Sequence, residues 1–394
     1  IDLVTQAERN AQIFEDEEIS AGIVTSVVST ASSISNIVIV DGGKGYKNIT
    51  NPVVNISSSA ITRPDPIKDW RFDGISGITN VVDFKALTDQ EPIVAVGGSS
   101  RYINTKSGSF WERGTIGFGG TVQFHCVGVG QSSGYPTKYV VAGGEYGSLA
   151  RAAGVGNSLT SFTEIELREL RQIPALNLTV EYPSTFEETF NDVIYEPVVD
   201  TWVAVGAGGS VFTAVGVTSD VFFSNYPNTV QDLNSVIYAQ GEFIAVGNGG
   251  EIVASNDGKV WSPKASNTPY NLRDIIYDGN RFITVGDQGT IGVSSDKNYW
   301  EPWSSQQYNN AIHPATFDFK VLKYIDNLYI GISTVGVLYY SFDLINWNRR
   351  DVSHTNEIRD LVTTNFGPSR GQRIIAVGSG STQFYADPVI NRAT

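Results

Sequence analysis

The chain has 394 residues, 41 of them acidic and 27 basic, for a formal net charge of −14. A surface of that sign repels phosphate backbones and anionic lipid headgroups, which argues against nucleic-acid and membrane-surface partners. A single cysteine, Cys126, excludes an internal disulfide, and 40 glycines with 11% aromatic residues suit an all-β chain rich in tight turns.

In chain order, the opening IDLVTQAERN lacks the basic and apolar blocks of a signal peptide, and a chain starting at Ile1 is expected of a processed or truncated product. Residues 6–18 read as a short helix or an extended arm. GIVTSVVST and IVIV then read as strands, followed by a glycine-rich turn, Asp41 to Tyr46, and a further strand, PVVNIS. GGKGY has the look of a phosphate-cradling loop, but no helix follows it and Lys44 is a lone cation in an acidic chain. Pro52, Pro64 and Pro66 surround SSSAITRPDPIKD, which reads as a linker. Residues 1–65 are therefore expected to form a small β-rich arm, and 66–394 a second domain.

From there the chain repeats itself. SVIYAQGEFIAVGNGGEIVASNDGKVW (Ser235 to Trp261) matches DIIYDGNRFITVGDQGTIGVSSDKNYW (Asp274 to Trp300) at a period of 39, as the pair Tyr238 and Tyr277 shows. VIYA, EFIAVG and EIVAS are short runs of β-branched and aromatic residues separated by Gly, Asn and Asp, and a fourth strand follows the Trp. Four short strands in about 40 residues make the blade of a β-propeller. Seven units are counted: 78–120, 121–167, 189–229, the two quoted, 318–356 and 357–394. The last stops short of its outer strand. IKDWRFD, with Trp70, is expected to supply it, so that residues 66–77 close an all-β, seven-bladed ring and leave no unpaired edge.

Ser255, Asp257 and Trp261 share one spacing with Ser294, Asp296, Trp300 and with Ser341, Asp343, Trp347. Thr105 and Trp111 mark a weaker copy with Ser107 in place of the Asp. Ser and Asp at these positions can accept backbone N–H groups and fix a turn, while the Trp adds buried area between sheets. The Ser-x-Asp-x-x-x-Trp spacing resembles the Asp-box of sialidase-type (BNR-repeat) and photosystem-assembly-factor propellers. That resemblance implies a structural hairpin away from any active centre. The GG-x-GY…P-x-V-x-I stretch of the arm is similar to modules of tail and baseplate proteins of T4-like phages, marine ones especially.

Little in the chain points to chemistry. His125, His313 and His354 are far apart in sequence, and His125 and Cys126 would face opposite sides of one strand, which disfavours zinc. Asp257, Asp287 and Asp296 lie in loops but without EF-hand spacing for calcium. No G-x-S-x-G elbow is present. Sialidase chemistry needs three arginines and a Tyr–Glu pair. Here Arg101, Arg151, Arg273, Arg281 and Arg373 are scattered, and Arg273 and Arg359 recur before an Asp as channel-lining or ion-paired groups. No catalytic residue, metal or cofactor is expected. The reading is a non-enzymatic virion structural protein of a phage, a tail, baseplate, fibre or decoration component located in the virion. Its arm would dock other virion proteins within a symmetric homo-oligomeric assembly, and its propeller would face a partner or a host glycan, with Tyr299, Trp303 and Tyr308 as first candidates for contact. A sialidase-like glycan-binding or glycoside-hydrolysing propeller and a photosystem-assembly-factor-like propeller are the alternatives.

Overall fold

A computed structural model describes residues 23–30, 33–41, 71–72, 84–88, 92–105, 111–117, 121–134, 136–155, 158–173, 178–225, 227–303, 318–325, 327–350, 357–365, 372–380 and 383–386. Contacts divide the chain into two units, Asp69–Asp387 and a second made of Ile1–Lys68 with Pro388–Thr394. In the smaller unit, Ile23–Thr30 and Ser33–Asp41 pair as an antiparallel hairpin. Residues 6–18, Lys44, Trp70 and Tyr308, and most of the Asp41 to Tyr46 turn, lie outside the described residues.

The larger unit is a β-propeller. Its regular sheets have four antiparallel strands in chain order, as in Leu233–Ala239, Glu242–Gly247, Ile252–Ser255 and Ser262–Lys264. The innermost strands of successive sheets begin at Phe84, Phe124, Phe190, Leu233, Leu272, Phe319 and Ile358. Each neighbours the next, and the strand from Ile358 neighbours the one from Phe84.

The second strand of each sheet is buried over most of its length, and over all of it in Ile93–Gly97, Thr201–Gly206 and Phe282–Gly286. These strands pack between sheets, so IVAVG, TWVAVG and FITVG are near-continuous apolar runs, broken only by the buried Thr201 and Thr284. Between sheets the packing is aromatic against aliphatic. Val203, Val205 and Val211 meet Leu233, Phe243 and Trp261, while Ile244, Val246 and Ile252 meet Leu272, Phe282 and Trp300. Phe84, Ile93 and Ile103 meet Val362, Ile375 and Val377 in the same way, across the first and last sheets.

Two boundaries differ from the sequence reading. The repeat pattern ends the second unit at residue 167 and starts the third at residue 189. Instead Glu166–Ile173 and Leu178–Pro183 form a hairpin on the outer edge of the third sheet, where Glu166–Arg168 run parallel to Val221–Phe223. The third sheet thus has six strands, while the second is completed by the short strands Ser158–Leu159 and Thr163–Glu164. Linear periodicity misses this because the outer strand of that sheet is followed in space by a segment that precedes it in the chain. Trp303, a loop aromatic by the sequence pattern, belongs to the outer strand Glu301–Trp303, opposite Ile291. At the C-terminal end, Ile358–Asn365, Gln372–Gly378 and Gln383–Ala386 form three strands, and Arg71 and Phe72 pair with Tyr385 and Phe384 on the outside.

Candidate functional site

The three full Ser-x-Asp-x-x-x-Trp copies adopt one geometry. In the first, Gly258 N–H donates to Ser255 Oγ (2.9 Å), and Lys259 and Val260 N–H donate to Asp257 Oδ1 (2.8 and 3.0 Å). Trp261 Nε1–H donates to the Gly258 carbonyl (2.7 Å). The same bonds run from Lys297 to Ser294, from Asn298 and Tyr299 to Asp296, and from Trp300 to Lys297. They recur from Leu344 to Ser341, from Ile345 and Asn346 to Asp343, and from Trp347 to Leu344. Backbone N–H donors hold the Asp257, Asp296 and Asp343 carboxyls below the ordinary carboxylate range; at Asp257 and Asp343 burial opposes this and is outweighed. Trp300 and Trp347 are fully buried; in the weaker copy Thr105 is buried and Trp111 half-buried.

These turns join the third strand to the outer strand, at the end of the sheet where Phe243 faces Ser255. The three carboxylates stay in separate blades. Tyr299 is exposed at one such turn. None of these residues lines the central cavity.

That cavity, of about 260 Å³, opens at the other end of the sheets. A local irregularity recurs in the innermost strands, and all but the strand from Phe84 contribute to the lining. The pairing register slips between Phe84 and Ala86, Phe124 and Cys126, Phe190 and Asp192, Leu233 and Ser235, Leu272 and Asp274, Phe319 and Val321, and Ile358 and Asp360. Each slip is a β-bulge that re-aims side chains. The residue before each bulge is apolar and buried. The bulged residue and the one after it face the cavity: His125, Asn191, Asn234, Arg273, Lys320 and Arg359 in one tier, Cys126, Asp192, Ser235, Asp274, Val321 and Asp360 in the next.

The lower tier is stitched from blade to blade. Asp192 Oδ2 accepts from Val236 N–H (2.8 Å) and from the Ser235 hydroxyl (3.2 Å), and that hydroxyl also lies 2.9 Å from Asp274 Oδ1. Asp274 Oδ2 accepts from Leu322 N–H (2.8 Å) in the following sheet. In the upper tier the Asn191 and Asn234 amides donate to the Leu233 and Leu272 carbonyls (2.9 and 2.7 Å). Burial raises the Asp192 carboxyl to about 6; the Asp274 charge adds to the rise, while Val236 N–H and Lys323 oppose it. Burial likewise raises the Cys126 thiol, so it has no thiolate character at neutral pH.

Around the mouth, tight turns follow each second strand. Gly208, Gly249 and Gln288 sit there in the left-handed region, with φ of 63°, 65° and 56°. Their N–H groups donate to Asp232, Asn271 and Asp318, each the residue just before the next innermost strand (2.7–2.8 Å). Arg273 is ion-paired with Asp287 of its own blade, and Arg359 with Glu357 (3.3 Å). The sequence places these two arginines at matching positions, and both line the cavity. Arg281, by contrast, pairs with Asp278 and the Tyr329 hydroxyl, and Arg151 lies over the Tyr139 ring.

Sequence reasoning missed the Asp192–Ser235–Asp274 belt. Its signal was present as FND-VIY, LNS-VIY, LRD-IIY and IRD-LV, but the irregular third unit hid the alignment of Asp192 with Asp274. Among the lining residues, Arg273, Lys320, Lys323 and Arg359 stand beside the Asp192, Asp274 and Asp360 carboxylates, while Asp287 and Glu357 pair with Arg273 and Arg359. Among the described residues, no group of three or more His, Cys, Asp and Glu is placed to hold a metal ion, and no helix is long and apolar enough to cross a membrane.

No protein-family model and no curated protein matches the chain. Solved structures do. "YCF48 bound to D1 peptide" aligns with a TM-score of 0.58 at 15% identity, over 84% of this chain and 98% of that one. "YCF48 from Cyanidioschyzon merolae" aligns at 0.54 and 12% identity, over 80% and 98%, and the WD40 β-propeller domain of Doa1 at 0.52 and 10%, over 82% and 99%. At these identities the likeness establishes the β-propeller fold alone.

Proposed function

We propose that the protein is a non-enzymatic interaction propeller that holds an anionic, extended segment of a partner protein at the lysine- and arginine-lined mouth of its central cavity. One observation carries this reading: bulges repeated around the ring aim Arg273, Lys320 and Arg359 into one cavity of about 260 Å³, in a chain of net charge −14. The carboxylates beneath are occupied by backbone N–H groups and by Ser235. YCF48, a neighbour of the same fold, is bound to the D1 peptide. Loops fixed by bonds between blades lose little conformational freedom on binding, which favours affinity at a modest contact area.

The finer reading has seven blades closed by residues 66–77. It is supported by the seven neighbouring innermost strands and by the pairing of Arg71 and Phe72 with Tyr385 and Phe384. The virion assignment, with the 1–65 arm docking other virion proteins, rests on the resemblance of the GG-x-GY segment alone. Mass spectrometry of purified particles tests it: a fixed copy number supports it, and absence from particles removes it.

The binding reading is tested by fluorescence anisotropy. A fluorescein-labelled Glu-rich peptide is titrated with wild type, Lys323→Glu and Arg359→Glu. Binding that weakens about tenfold or more in each variant and falls with added salt is expected. Binding unchanged by both substitutions, or none to wild type at low salt, overturns the reading.

A further inference from the structure

Among the described residues, the hairpin on the third sheet has no counterpart in the other blades. Only Glu166–Arg168 are paired to the blade; from Glu169 to Ile173 and from Leu178 to Tyr182 the two strands pair with each other alone. An isolated two-stranded ribbon is marginal in water. This one leaves Leu170, Leu178 and Tyr182 exposed at 51%, 50% and 37%. Its inner strand is braced by charge: Arg168 bridges Glu166 (3.0 Å) and Glu181 (2.7 Å), and Arg171 pairs with Glu169 (3.0 Å) and lies over the Tyr182 ring. Among the described residues, Leu178–Pro183 is the last strand of its sheet.

The direction of its free backbone groups follows from one bond. Ser184 N–H donates to the Leu167 carbonyl (2.9 Å), and the register continues through Arg168–Pro183. In an antiparallel ladder the bonded side alternates by residue. Leu178, Val180 and Tyr182 therefore bond inward, and Thr179 and Glu181 present N–H and C=O outward. Of the features natural edges use to block pairing, this stretch has one charge, Glu181, but no lysine and no bulge, and a proline only at its end.

The geometry points to this edge as an isologous docking strand whose occupant is the same strand of a second copy of the chain, paired antiparallel about a two-fold axis at Val180. The parity of the backbone selects that axis. It sets Thr179 opposite Glu181 of the second copy, so that both outward pairs exchange N–H···O bonds. An axis at Glu181 would oppose two carboxylates and place the donor-less Pro183 in the ladder. With the axis at Val180, the two valines face each other and each Leu178 meets a Tyr182. One face of the join is apolar, and the other carries Thr179–Glu181 pairs with no like charges opposed. The result is one sheet continuous through both copies, held by main-chain bonds and a self-complementary patch. This surface lies on the outside of a blade and is independent of the cavity, so its test does not depend on peptide binding.

Sedimentation equilibrium of the full chain over a concentration series is expected to show a reversible monomer–dimer equilibrium. Val180→Lys, which sets two ammonium groups against each other at the axis, is expected to raise the dimer Kd about tenfold or more. Thr179→Pro removes an outward N–H while sparing the inward ladder and is expected to do the same. Circular dichroism establishes that both variants stay folded. Val180→Cys is expected to form a covalent dimer under mild oxidation about tenfold faster than Thr179→Cys, because facing residues of a non-hydrogen-bonded pair lie about 4.5 Å apart at Cα. The one native cysteine, Cys126, is buried and does not compete. A wild type that stays monomeric, a dimer indifferent to Val180→Lys, or equal cross-linking by the two cysteine variants would each overturn the assignment.

Discussion

Replacing Asp192 by asparagine removes the carboxylate at the centre of the belt that joins the third, fourth and fifth blades. In the folded protein its carboxyl is raised from 3.8 to about 6, chiefly by burial. The folded state therefore binds that proton more tightly than the unfolded chain does. Between the unfolded value and about pH 6 the native state carries more protons, so stability falls as pH rises and levels off above the folded value. A rise of roughly two units at 1.36 kcal/mol each amounts to about 3 kcal/mol. Asp192 keeps part of its surface on the open cavity, so this figure is a ceiling. The substituted amide has no such titration, and its poorer match to Val236 N–H is a cost that does not vary with pH. Urea unfolding of wild type and Asp192→Asn, followed by tryptophan fluorescence from about pH 4 to about pH 8, isolates the effect as a difference in which carboxylates remote from Asp192 cancel. Wild-type stability relative to the variant is expected to decline by up to about 3 kcal/mol across that window, most of it below about pH 6.5. A difference that is flat, or that rises with pH, would refute the assignment of a buried, proton-retaining carboxylate.

Trp347→Ala is expected to lose about 3–5 kcal/mol of stability, because the ring is fully buried against Phe319 and its turn then lacks the bond to the Leu344 carbonyl. The half-buried Trp111 should lose less on the same substitution, and paired urea midpoints check both. Gly286→Ala places a methyl group against the Asn271 carbonyl, in extended backbone, and should cost about 1–3 kcal/mol by overpacking. At Gly279 the space is open and only φ of 93° opposes a side chain, so Gly279→Ala should cost about 1 kcal/mol; thermal unfolding of the two variants separates clash from backbone strain.

What the sequence determined by itself is the repeating part. VIYA, EFIAVG and the Ser-x-Asp-x-x-x-Trp turns announce strands and hairpins, because turn chemistry and β-branched runs act over a few residues and recur at 39. The Ser255, Asp257 and Trp261 bonds close within seven residues, so their spacing alone carries them. Tertiary structure decided what depends on neighbours distant in the chain. The hairpin of residues 166–183 joins a sheet whose other strands come later, through a parallel contact with Val221–Phe223 that no local pattern encodes. The cavity belt was legible at Arg273 and Arg359, where the repeat is regular, and hidden at Asp192, where it is not. A bulge changes which side of a strand a residue faces without changing its composition, so whether Asp192 and Asp274 would face solvent, core or channel was settled only by the tertiary arrangement of the blades.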